Sequence, residues 1–131
     1  QILTIGSKYF DFYTIDLLNT EILNHKTKIM GISGFSEEKF EGVYNLILSN
    51  IRFVDDILIS NNSLKSAYKL TYDIDEEDTL FVALTNHLNS KLWTGDKLLE
   101  KGLKNKGYDR IVTTSELYDI FIRKELKSKK P

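Results

Sequence analysis

A chain of 131 residues, 41% hydrophobic and 28% charged, has the bulk for one packed core. Its 18 Lys and Arg against 19 Asp and Glu leave a net charge of −1, which excludes an overall basic field and leaves local patches as the means of holding nucleic acid. The lack of cysteine excludes disulfides, thiolate metal sites and cysteine nucleophiles, and no apolar run reaches the roughly 18 residues that span a bilayer.

Gln1 to Gly6 (QILTIG) has the form of a last helical turn closed by a glycine cap, so the chain is expected to begin inside a domain. Tyr9 to Thr14 (YFDFYT) is aromatic and predicts a strand. Leu18, Ile22, Ile29 and Met30 fall near helical spacing, which predicts one long helix from Ile15 to Met30, broken by Gly31 to Gly34. Ser36 is placed as the N-cap of the next helix, whose inner face would carry Phe40, Val43, Tyr44, Ile47 and Leu48.

Ile51 to Val54 (IRFV) predicts a short strand, followed by Asp55 and Asp56. A helix is expected over Asn62 to Leu70, and another over Glu76 to Leu88. The second has an apolar centre nearly all round, Leu80-Phe81-Val82-Ala83-Leu84, and should be buried on more than one side. Lys91 to Thr94 (KLWT) predicts a strand, Asp96 to Lys106 a helix ended by Gly107, and Arg110 to Thr113 the last strand. Thr113 and Glu116 have the spacing of a capping box opening a terminal helix through Leu126, with a frayed tail over Lys127 to Pro131.

Short strands alternating with longer helices predict an α/β fold, a parallel sheet with helices on both faces. Chemistry in such folds gathers beyond the carboxyl ends of the strands. Asp96 stands there, one glycine after KLWT, with the Thr94 hydroxyl at the same edge. Asp75 and Asp78, three residues apart, open the apolar helix on one shared face. Glu21 borders the inner stripe of the Ile15 to Met30 helix. Each acid has a plainer reading, as a first-turn residue favoured by the helix dipole or as the edge of an amphipathic face. Carboxylates without cysteine, and with only two histidines, suit a hard oxygen-seeking cation such as Mg²⁺ or Mn²⁺.

The stretch from Asp75 to Gly107 (DEEDTLFVALTNHLNSKLWTGDKLLEKGLKNKG) resembles the C-terminal half of PIN-domain proteins, most specifically from Asp78 to Lys97. YFDFYTIDLLNTEILNHK resembles the family's second strand and acidic helix, so the likeness covers essentially the whole chain. The resemblance implies a single domain over residues 1–131, three-layered, with Glu21, Asp78 and Asp96 as metal-binding acids. It makes Asp75 an additional acid and Thr94 an orienting residue. It also implies a Mg²⁺- or Mn²⁺-dependent endonuclease of single-stranded RNA, with an antitoxin protein and a homodimer as the associations to expect, and the lack of cysteine fits a reducing cytoplasm. The family's first strand, with an Asp followed by Thr-Asn, has no counterpart and would precede Gln1, so the domain is expected to be N-terminally incomplete.

Other residues carry plainer expectations. His25 is expected at the surface, His87 as a structural histidine of a buried helix, and Trp93 in the core. Tyr9, Phe10, Phe12 and Tyr13 are expected to pack the strand rather than stack bases. Lys97, Lys101, Lys104 and Lys106 either steer a phosphate backbone or simply solvate a helix face. Two other functions are compatible with parts of the sequence. One is a non-catalytic PIN-like module that binds RNA or protein. The other, a phospho-acceptor receiver domain, needs its acidic pair early and a lysine ending the last strand, an order this chain lacks.

Overall fold

The computed structural model describes residues 2–129. The expectations for Gln1 and for the last two residues of the tail, Lys130 and Pro131, lie outside the described residues. The chain divides into two compact units, one over Leu3–Asp55 and the other from Asp56 onward. Both are α/β in make-up, with parallel strands joined by helical crossovers, as the alternation of elements predicts.

The first unit holds β1 (Phe12–Ile15) paired in parallel with β2 (Ile51–Val54), in the register Phe12↔Ile51 through Ile15↔Val54. A short helix α1 (Ile2–Ile5) and a 3₁₀ turn over Gly6–Lys8 precede β1. Gly6 therefore continues the helical path instead of capping it in the left-handed region, and the strand starts at Phe12 rather than Tyr9. Thr14 and Ile15 are buried. Full burial of an isoleucine side chain contributes roughly 1.5–3 kcal/mol, which holds the end of this strand in place.

The single long helix expected over Ile15 to Met30 is two helices, α2 (Asp16–Asn24) and α3 (Lys26–Ser33). The break is at His25, whose φ of −103° and ψ of 14° leave helical geometry. Side-chain periodicity cannot register such a break, because the stripe resumes in step on the far side. Gly31 is part of α3, and the stop is Gly34, whose φ of 73° is the left-handed conformation that glycine adopts without Cβ strain. Ser36 caps α4 (Glu37–Asn50) as expected, its Oγ accepting from the Lys39 N–H at 3.1 Å. Phe40 is the buried residue of that helix, whereas Leu48, placed on the same face from sequence, is exposed.

The second unit holds β3 (Leu92–Trp93) and β4 (Ile111–Val112), also parallel, connected through α7 (Lys97–Asn105). Both strands are shorter than predicted, two residues each, and just past β4 the Thr113 N–H is taken by the Glu116 carboxylate of the following helix cap. Helix α5 (Asn61–Thr71), capped by Ser60, packs against α6 (Thr79–His87). Ala67 of α5 and Val82 and Ala83 of α6 are fully buried, and Leu84 and Thr85 nearly so. Four consecutive buried residues cannot lie on one helical stripe, so α6 is covered on more than one side, as its composition predicts. His87, at its end, is exposed rather than structural. Trp93 is half-buried, its indole N–H donating to Thr114 Oγ1 at 2.9 Å.

Helix α7 ends on a Schellman turn. The Tyr108 N–H reaches the Leu103 carbonyl and the Gly107 N–H reaches the Lys104 carbonyl, with Gly107 at φ 80°. Gly102 on the same helix leaves room for Ile74, since a Cβ there would stand 2.5 Å from Ile74 Cδ1. Helix α8 (Thr114–Ser128) opens on a complete capping box and runs two residues beyond Leu126, into the segment expected to fray.

In that box Thr113 Oγ1 accepts from the Glu116 N–H at 3.1 Å, and Glu116 Oε1 accepts from the Thr113 N–H at 3.0 Å. The second bond, first among the causes, holds the Glu116 carboxyl below its ordinary range. A depressed folded-state value means the stabilisation is fully present above the ordinary glutamate pKa and is lost as pH falls through the folded one. Thr113→Ala should cost about 1 kcal/mol. Glu116→Ala should lower the thermal midpoint at pH 7, and that difference from the unsubstituted chain should close as the melts are repeated at progressively acid pH. A difference independent of pH would mean the ionised carboxylate is not what caps the helix.

Candidate active site

Beyond the carboxyl end of β3 the chain runs Thr94-Gly95-Asp96 and then enters α7. Asp96 is the N-cap: its Oδ1 accepts from the Leu98 N–H at 3.0 Å and from the Leu99 N–H at 3.2 Å. Thr94 Oγ1 accepts from the Asp96 N–H at 3.0 Å, fixing the backbone from which the carboxylate projects. The plain reading of Asp96 as a helix-start acid is therefore correct as far as it goes. A cap engages Oδ1, however, and a carboxylate has a second oxygen to offer.

The other acids come from the turn between α5 and α6. Asp75 opens a 3₁₀ turn over Glu76–Asp78, its Oδ1 accepting from the Glu77 N–H at 3.0 Å. Two threonines tie this turn to the core. Thr71, fully buried at the end of α5, gives its hydroxyl proton to the Ala67 carbonyl at 3.0 Å. Its 2.6 Å contact with the Thr79 hydroxyl is therefore one that Thr79 donates. This pins the first residue of α6, and so places Asp78 immediately before it.

Asp78 is half-buried. Burial, first, and then the negative charges of Asp75, Asp96 and Glu77 push its carboxyl above the usual aspartate range. Asp75, Asp78 and Asp96, separated by up to 21 positions in the chain, thus share one electrostatic neighbourhood. The same shift reveals Glu77, a residue the sequence reading did not single out. Its only signal was membership of the DEED run. Thr71 and Thr79 were also missed, because a hydroxyl pair between helices leaves no mark in periodicity.

A half-buried carboxylate pressed by three negative neighbours is a place where a cation lowers the energy. The donors are all hard oxygens, which suits Mg²⁺ or Mn²⁺ over softer metals. Among the described residues no group of three or more His, Cys, Asp or Glu side chains stands close enough to hold a metal ion. Mg²⁺ makes a smaller demand, being held by one or two carboxylates with water and substrate phosphate completing the shell, and the residues present fit that mode.

A family model described as the PIN domain matches residues 1–116. The chain belongs to the PIN-domain family. No curated protein and no solved structure matches it. PIN domains are generally nucleases that use divalent metal ions. No helix among the described residues of this PIN domain is long and apolar enough to cross a membrane.

The remaining expected residues of the PIN domain fall as follows. Glu21 lies on α2 of the first unit and is exposed. His25 is exposed too, and its N–H closes α2 on the Glu21 carbonyl at 3.0 Å. Of the four lysines, Lys104 pairs with Glu100 at 2.8 Å, while Lys106 donates to the Leu70 carbonyl at 2.9 Å and pairs with Asp73. Those two are tied into the surface of the second unit. Lys97 and Lys101 are exposed on α7, the helix that Asp96 caps.

Proposed function

We propose that this PIN domain is a Mg²⁺- or Mn²⁺-dependent endoribonuclease acting on single-stranded RNA, with Asp78 and Asp96 as the metal-binding acids. The observation that carries the reading is the placement of Asp78, half-buried in the turn before α6 and subject to the charges of Asp75, Glu77 and Asp96, the last of which stands beyond the carboxyl end of β3. Uncompensated negative charge there is costly to folding, and a bound cation would offset that cost. A divalent ion, when bound, supplies charge for the phosphate and activates water. Asp78 and Asp96 offer the charge that would hold it, Thr94 sets the direction of Asp96, and Asp75 adds to the local field while shaping the turn before α6. Glu21 enters as a third ligand through the family resemblance alone. A cytoplasmic toxin silenced by an antitoxin protein, self-associating as a homodimer, is the setting this reading implies.

The chain is incubated with 5′-labelled single-stranded RNA in the presence of Mn²⁺, of Mg²⁺, or of EDTA. Cleavage should require metal and cease with EDTA. Cutting that persists under chelation would rule out the metal-dependent reading. A second reading, a non-catalytic module that binds RNA, draws on the lack of a gathered group of three ligating side chains among the described residues. In that case RNA is retained intact with metal present.

A further inference from the structure

Next to the acidic turn, helix α5 presents a surface that the proposed nuclease chemistry does not use. Lys65, Tyr68, Lys69 and Tyr72 recur at intervals of three and four, so they share one face of the helix. Tyr68 is 49% exposed and Tyr72 55%, with their ring centroids 5.9 Å apart. The Lys106 ammonium sits over the Tyr72 ring, 5.2 Å from its centroid. Below them runs an apolar groove of about 490 Å³ lined by Leu64, Lys65, Tyr68, Lys69 and Thr79. Among the described residues Lys65 and Lys69 make no ion pair. Thr79, which also lines the groove, is the residue after Asp78.

An aromatic pair left half in water costs hydrophobic energy unless something lies on it. Two lysines beside it, without acidic partners, call for an anion. Apolar flat faces flanked by cations at helical spacing are the combination that single-stranded nucleic acid satisfies, with bases on the rings and phosphates on the ammonium groups. The rings at 5.9 Å are too close for a base to enter between them, so a base would lie against the outer face of Tyr68. Charge complementarity favours this occupant over a protein segment, which would need its own acidic stripe.

We propose that the α5 groove is a docking track for single-stranded RNA, in which Tyr68 and Tyr72 form the base platform and Lys65 and Lys69 hold the backbone. The track leads, by way of Thr79, to the acids around Asp78. This inference deepens the nuclease reading and rests on it for the direction of the strand, but binding can be measured without cleavage.

The test is fluorescence anisotropy of a labelled single-stranded oligouridylate with the full chain in EDTA. Tyr68→Ala with Tyr72→Ala should weaken binding by about tenfold or more, since each stacked base is worth 1–3 kcal/mol. Tyr68→Phe should retain it. Lys65→Gln with Lys69→Gln, both at exposed positions with little bearing on folding, should flatten the slope of log affinity against log salt by about 0.7 per lysine. A duplex of equal length should bind more weakly than the single strand. Unchanged affinity and salt slope in these variants, or equal binding of the duplex, overturns the proposal and leaves the groove to a protein partner. Loss of binding in the variants without any metal-dependent cleavage by the unsubstituted chain would uphold the track and sink the nuclease reading. Cleavage with variant binding intact would do the reverse.

Discussion

Asp96→Asn should lower metal-dependent RNA cleavage by about 100-fold or more, given that even outer partners of a metal centre cost tens-fold when removed. The substitution is informative because Asp96 has two jobs that asparagine separates. Asparagine caps a helix about as well as aspartate, so the bonds to the Leu98 and Leu99 N–H groups persist and stability should change by less than about 0.5 kcal/mol. What disappears is the charge. One of the three negative neighbours that hold up the Asp78 carboxyl goes with it, so Asp78 should titrate closer to the ordinary aspartate range in a ¹³C-carboxyl NMR experiment. Asp96→Ala should add a loss of about 1 kcal/mol in stability as the cap goes too. Cleavage at the unsubstituted rate by a well-folded Asp96→Asn chain would remove this acid from the chemistry.

Leu103→Ala should be among the most damaging single changes to stability. Leu103 is fully buried on α7 and its carbonyl also receives the Lys106 and Tyr108 N–H bonds that finish the helix. Truncating a buried leucine to alanine costs about 2–5 kcal/mol, the lost transfer energy plus the cavity left behind. Against a total of about 5–15 kcal/mol that is a large fraction, and a fall in thermal midpoint on the order of 10 °C follows. Helix α7 carries Asp96 at its start, so the variant should cleave RNA at low temperature and lose activity early on warming, in step with its circular-dichroism melt. A cost below about 1 kcal/mol in urea unfolding would mean that α7 is not packed as described.

Helix starts and stops were legible from the chain alone wherever the device is local. Ser36 with Lys39, Thr113 with Glu116, and Gly107 each act across three to five residues, and a reader of the sequence sees both ends of the interaction. The buried character of α6 was legible too, since its apolar residues surround the helix. The interruption at His25 was not, because α2 and α3 continue one another's stripe and the backbone turn at His25 has no side-chain signature. His87 was misplaced for a related reason: it ends a helix whose buried residues, Val82 to Thr85, stop before it.

Residue order by itself determined that this is an α/β chain with parallel strands, that acids stand at the carboxyl end of β3 and at the opening of α6, and that the chain resembles PIN domains. These are properties of local periodicity and of motif, carried by neighbours along the polymer. Only the tertiary structure decided that Asp78 feels Asp75, Glu77 and Asp96 together, because the coulombic push of a carboxylate depends on distance through space and on exclusion of water. It likewise decided that Tyr68, Tyr72 and Lys106, separated by up to 38 positions, share one surface, since only packing of α5 beside the end of α7 brings the lysine over the ring.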